Sequence, residues 1–157
     1  MAKINITAEP GKQVIIIRHI FDAPRELVWK AMTDPDLIPR WWGPKMLATI
    51  VDQLDVRRGG IWRFIQRGPE GDDYVFHGVY HDIVQPERVV QTFEFEGMPG
   101  HVSLQTTIFD EHDGRTEATQ TSVFQSIEDR DVMLNSGMEK GATESHDRLA
   151  ELLKEIK

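Results

Sequence analysis

Between Met46 and Phe124 the chain is cut into short strand-like runs by Arg58-Gly59-Gly60, Gly68-Pro69-Glu70-Gly71, Pro86-Glu87, Gly97-Met98-Pro99-Gly100 and His112-Asp113-Gly114. A parallel crossover needs a dozen or more residues, usually helical, and these turns are far shorter. Consecutive strands must therefore pair antiparallel, and the six runs predict a meander. Such a sheet has an apolar face to cover. The expected cover is the C-terminal segment, where Ser126 stands three residues before Asp129 as a capping-box-like start, with Asp in place of Glu or Gln. From there an amphipathic helix is predicted almost to Lys157. At about 1.5 Å per residue it would be roughly 40 Å long and cross the whole sheet.

Ahead of the meander, Gln13 to Phe21 is rich in β-branched residues and ends at Asp22-Ala23-Pro24, which predicts a first strand. Pro24 suits a helix start, and Leu27, Val28 and Ala31 recur at helical spacing, so a first helix is expected from about Pro24 to Met32. Thr33-Asp34-Pro35 repeats the cap signal for a second short helix, stopped by Pro39 before Trp41-Trp42. The expected fold is α+β: a curved antiparallel sheet of six to seven strands around a long C-terminal helix, with two short helices after the first strand. Residues 1–157 contain no repeat or interdomain linker and are expected to form one domain.

Charge and composition narrow the function. Eighteen Lys and Arg against 26 Asp and Glu give a formal net charge of -8, which repels nucleic acid phosphates and anionic membranes at long range. The chain has no cysteine, so disulfides and thiolate metal sites are excluded. Its opening residues lack the apolar run of a secretory signal, and the longest aliphatic run, Val14 to Ile17, falls far short of the roughly 20 residues of a spanning helix. A cytoplasmic location is expected. Asn5-Ile6-Thr7 matches a glycosylation sequon, a pattern without consequence there.

Several segments carry a family resemblance. Val28-Trp29-Lys30-Ala31-Met32-Thr33-Asp34-Pro35, Arg40-Trp41-Trp42-Gly43-Pro44, Arg58-Gly59-Gly60-Ile61-Trp62, Arg67-Gly68-Pro69, His77-Gly78-Val79-Tyr80 and Pro86-Glu87-Arg88-Val89-Val90 occur in that order. With Gly137-Met138-Glu139-Lys140-Gly141 and Arg148-Leu149-Ala150-Glu151-Leu152-Leu153 they nearly span the chain. The chain thereby resembles the family named after the C-terminal domain of the activator of Hsp90 ATPase, within the START-like, or Bet v 1-like, superfamily. The resemblance implies the helix-grip fold. That superfamily includes lipid carriers, hormone receptors, polyketide cyclases and allergens, so the fold does not select one activity. The co-chaperone resembles this chain only in its C-terminal half and has a separate Hsp90-binding domain, which makes Hsp90 activation the third reading. One departure is local: many relatives have Trp after the second Gly of the Gly137–Gly141 segment, where this chain has Ala142.

Trp41 and Trp42 are candidates for a structural plug or for a pocket mouth, one packing inside and the other bordering the opening. His77 is expected to satisfy a hydrogen bond inside or at the edge of the pocket. His77 and His81 stand roughly 13 Å apart along a strand and cannot share a metal, no helical His pair exists, and no metal or cofactor is expected. Neither a Gly-x-Ser-x-Gly nucleophile motif nor a Gly-rich phosphate loop occurs. Nothing in the sequence selects a catalytic acid and base, so an enzyme of the polyketide cyclase or aromatase type is the second reading.

The first reading is a small apolar or amphipathic ligand held between sheet and helix. With Leu149 as the centre of the apolar helix face, Ala142, Met138 and Ile156 lie within roughly 20° and Ser145 at roughly 40°. Ala142 and Ser145 are small, so either sheet aromatics such as Phe64, Phe76 and Phe95 fill the space opposite them or a cavity remains.

Overall fold

The computed structural model describes residues 4–156. The opening tripeptide and Lys157 lie outside the described residues. Eight strands form one antiparallel sheet: β1 (Asn5–Thr7), β2 (Val14–Phe21), β3 (Ala48–Leu54), β4 (Ile61–Arg67), β5 (Asp73–Val84), β6 (Arg88–Phe95), β7 (Val102–His112) and β8 (Arg115–Val123). Strands β3 to β8 are the expected meander, and β2 pairs with β8 to give the order β1-β2-β8-β7-β6-β5-β4-β3. The strand count exceeds the six to seven expected because β1 pairs with β2. With only three residues, β1 has too little alternation to be read as a strand.

Helix α1 (Arg25–Thr33) starts one residue after Pro24, which occupies the cap position. The second short helix is smaller and later than expected: a turn at 34–37 leads into a single 3-10 turn at Ile38–Arg40. The Asp34 side chain accepts from the Asp36 backbone N–H, so the cap signal builds a turn there.

The C-terminal segment corrects the expected continuous helix. It consists of α2 (Ile127–Leu134) and α3 (Met138–Glu155). Ser126 does cap α2, accepting from the Asp129 N–H at 3.0 Å. The break follows from Gly137, whose φ of 84° is left-handed and incompatible with a continuing right-handed helix. Helix α3, at 18 residues, is about 27 Å long at 1.5 Å per residue.

Side chains alternate across each strand, so one parity faces α3. On β2 the inward residues Ile15, Ile17, His19 and Phe21 are all buried. Leu149, Leu152 and Leu153 of α3 join Phe21, Trp29, Trp62 and Phe109 in the main core. A second cluster gathers Ile15, Ile17 and Phe124 with Ile6, Met133, Met138 and Ala142. Among the described residues no helix is long and apolar enough to cross a membrane.

Candidate functional site

The centre of the sheet's inner face is not filled. A cavity of about 230 Å³ lies between β4–β8 and α3, beneath Ala142, Ser145 and His146. Trp41 and Trp42 close one end. Trp41 is buried and its Nε1–H donates to the Ala31 carbonyl at 2.9 Å. Trp42 is half-buried, its ring edge-on to Phe64 at 5.1 Å and to Phe76 at 5.4 Å. The loop carrying both rings is tied to α3. Ser145 Oγ donates to the Trp41 carbonyl and accepts from the Gly43 N–H, while Arg148 Nη1 donates to the Gly43 carbonyl at 2.8 Å. Gly43 has a φ of 83°, a left-handed conformation that favours glycine, and a Cβ there would displace the Gln66 amide.

One wall is aromatic: all four tryptophans of the chain line the cavity with Phe64, Phe93 and Phe109. The floor is not. Gln91 pairs with Gln105 across β6 and β7, and Thr107 pairs with Gln120 across β7 and β8. All four side chains line the cavity at the core-facing parity of their strands. Among the described residues the three glutamine amides make no side-chain hydrogen bond and are not sealed from the cavity space. Gln66, in contrast, is engaged by the Trp42 carbonyl. Unpartnered amides on an inward face are unusual, because polar groups removed from water are ordinarily hydrogen-bonded.

His146 stands beside this floor. Its ring meets His19 of β2 edge-on at 5.1 Å and Phe21 at 5.8 Å, and His19 stacks on Phe21 at 4.2 Å. Nδ1 of each histidine is buried without a hydrogen-bond partner among the described residues. Burial first, and neighbouring His19 second, push the His146 imidazole down to about 4 from an ordinary 6.5. Part of its surface faces the cavity, yet its charged form would still be remote from bulk water. His19 is likewise lowered by burial, with Asp147 opposing the shift. Tyr80, also in the lining, has its hydroxyl pushed up by burial. Both imidazoles and the phenol are thus held in their neutral forms.

Two further spaces adjoin. An apolar groove of about 290 Å³ runs beneath α2, between Phe76, Phe95, Met98, Val132 and Met133, and Phe93 lines both it and the cavity. A larger groove of about 840 Å³ lies between α1 and the end of α3, with Asp22, Glu26, Lys30, Arg115, Glu151 and Lys154 along it. Its mixed charges and exposed position suit solvent better than an enclosed ligand.

Of the residues singled out by sequence, Trp41, Trp42, Phe64, Ala142 and Ser145 meet around the cavity. Phe76 and Phe95 line the neighbouring groove. Met138 belongs to the second core cluster, because the break at Gly137 makes it the first residue of α3 rather than a mid-helix position. His77 does not reach the pocket. It pairs with Arg63 and Glu94 at the outward parity, 3.2 Å from Glu94 and 2.9 Å from Glu96. Those acids and Arg63 form a charged network on the convex face. The glutamines and His146 were missed, although a signal existed: Val89-x-Gln91-x-Phe93 and Gln105-x-Thr107-x-Phe109 place polar residues at core parity.

Residues 22–154 match the model of the activator of Hsp90 ATPase homolog 1-like protein family. No curated protein matches the chain. Among solved structures, a protein from Rhodobacter sphaeroides is similar at 25% identity and a TM-score of 0.90, covering 98% of this chain and 99% of that one. Protein Ms6760 from Mycobacterium smegmatis is similar at 25% identity and a TM-score of 0.86, covering 96% of each chain. A protein from Arthrobacter aurescens gives 25% identity and a TM-score of 0.88 over 96% of this chain and 91% of that one. With the helix-grip architecture and a family match over most of its length, the chain belongs to the activator of Hsp90 ATPase homolog 1-like family.

Proposed function

We propose that this chain, acting as one domain, binds a small amphipathic molecule in the cavity between the sheet and α3. The single observation that carries this reading is the unpartnered Gln91, Gln105 and Gln120 facing an aromatic wall across enclosed space. Enclosed, largely apolar spaces with a few convergent polar groups are the usual form of small-molecule sites. The ligand's polar part would lie over the glutamines, and its apolar part against the tryptophans and towards Phe93, beyond which the α2 groove continues. Binding is favoured over acid–base catalysis because burial keeps both His146 and Tyr80 from changing charge near neutral pH. Hsp90 activation and a cyclase-type reaction have no comparable feature in the site.

Native mass spectrometry of protein purified under mild conditions tests the proposal by revealing a retained compound and its mass. Tryptophan fluorescence supplies a second readout, since every tryptophan lines the cavity. A protein that retains nothing, and whose tryptophan emission responds to no member of a panel of small amphipathic compounds, would refute it.

A further inference from the structure

We infer that the cavity selects uncharged ligands that present a hydroxyl, carbonyl or amide to the β6–β8 floor, and that it rejects carboxylates, phosphates and ammonium groups. This rests on the binding reading above and specifies the ligand class. Its basis is the lining itself: among the described residues no Asp, Glu, Lys or Arg borders the cavity. The guanidinium of Arg148, on the neighbouring turn of α3, is turned to the Gly43 carbonyl.

An ion entering such a space leaves its hydration shell and meets no countercharge, which is strongly unfavourable. Neutral polar groups face the opposite balance. Each glutamine amide carries two N–H donors and an acceptor oxygen, and Thr107 adds a hydroxyl, so a ligand group that both donates and accepts is satisfied on three adjacent strands. Among the described residues His146 Nε2 has no hydrogen-bond partner and, unlike Nδ1, is not sealed in, so it adds one more neutral partner. A floor built to hydrogen-bond discriminates against a ligand without such a group, because the amides then lose their water and gain nothing. A volume of about 230 Å³ corresponds to roughly eight waters at about 30 Å³ each, which suits a small ring system better than a long acyl chain.

The test holds the ring frame constant. Equilibrium dialysis of the purified full chain at neutral pH against 2-naphthol, naphthalene and 2-naphthoate compares a neutral polar, an apolar and an anionic probe. We expect 2-naphthol to bind at least about tenfold more tightly than naphthalene and about a hundredfold more tightly than 2-naphthoate. Gln105→Met and, separately, Gln120→Met should bring the two affinities together, 2-naphthol binding less tightly and naphthalene more tightly once an uncompensated amide is gone, while cooperative urea unfolding shows that the variants are folded. Naphthalene binding as tightly as 2-naphthol would overturn recognition of a polar group, and 2-naphthoate binding as tightly would overturn charge selection. Either result would leave the cavity as a binding site. Failure of all three probes to bind would count against the binding site itself, and so against this inference with it.

Discussion

Replacing His146 by Phe should remove a pH dependence of folding that the cavity wall builds in. The His146 imidazole sits among His19, Phe21 and the helix backbone, and its pKa is held down to about 4 from 6.5. Because the folded value is depressed, the unfolded chain binds the proton first as pH falls. Stability from this residue is therefore complete above about pH 6.5, declines as pH drops below it, and levels off near pH 4, where the native state is protonated too. The integrated loss is about 2 kcal/mol by about pH 5 and about 3 kcal/mol by about pH 4. His19 faces the same ring and is itself lowered, with Asp147 opposing the shift, so some dependence from that neighbour persists in the variant. Carboxylates on the surface titrate in both proteins and cancel in the comparison. Urea unfolding of wild type and His146→Phe at about pH 7 and about pH 5 gives the difference directly. We expect the wild type to lose about 2 kcal/mol more than the variant over this interval. Equal losses in the two proteins would show that His146 titrates as it does in water and that the imidazole pair is not held neutral by its surroundings.

Three other substitutions probe the helix above the cavity. Gly141→Ala should raise stability by up to about 1 kcal/mol in thermal unfolding, because a Cβ there meets nothing within 4 Å and alanine favours the helix interior; destabilisation would reveal a close approach at that point. Ser145→Ala removes the bonds to the Trp41 carbonyl and the Gly43 N–H and should cost about 1 to 3 kcal/mol; an unchanged unfolding midpoint would mean that Arg148 alone fixes the tryptophan loop. Ala142→Trp should keep or raise stability while reducing uptake of an apolar fluorescent probe, since the ring enters space that is open. A loss of typically 1 to 3 kcal/mol, the effect of overfilling, with probe binding unchanged would place no usable space beneath that residue.

The meander was legible because turn chemistry is local: Gly-rich and Pro-containing segments mark each reversal, and short reversals leave only antiparallel pairing. Ala142 and Ser145 were legible for a similar reason, as small residues on an otherwise apolar helix face. His77 was misplaced because strand parity around it depends on which face is covered. The outward row of β4 and β5 carries Arg63 and His77, and ion pairing with Glu94 and Glu96 gives that histidine its place. The glutamine floor requires knowing that Gln91, Gln105 and Gln120 occupy adjacent strands, a matter of register that turn residues alone do not fix. His146 pairs with His19 across 127 positions of sequence, a contact that exists only after β2 has returned to β8 beneath α3.

The break at Gly137 connects the misread helix to the shape of the site. Periodicity from Ser126 onward suggests one long element, yet a left-handed residue at Gly137 lets the chain change direction between α2 and α3. Helix α2 then contributes Val132 and Met133 to the groove over Phe76 and Phe95, while α3 places Ala142, Ser145 and His146 over the cavity. Met138, at the start of α3, is drawn into the cluster with Ile15, Ile17 and Phe124, so the N-terminal end of that helix is anchored by apolar packing. The leucines at 149, 152 and 153 anchor its other end in the main core. Between these two anchors the helix presents only small or neutral polar side chains to the sheet centre, and the sheet presents glutamines. The helix does not supply the bulk needed to fill the space opposite the glutamines, so it stays open in a fold that is packed on either side.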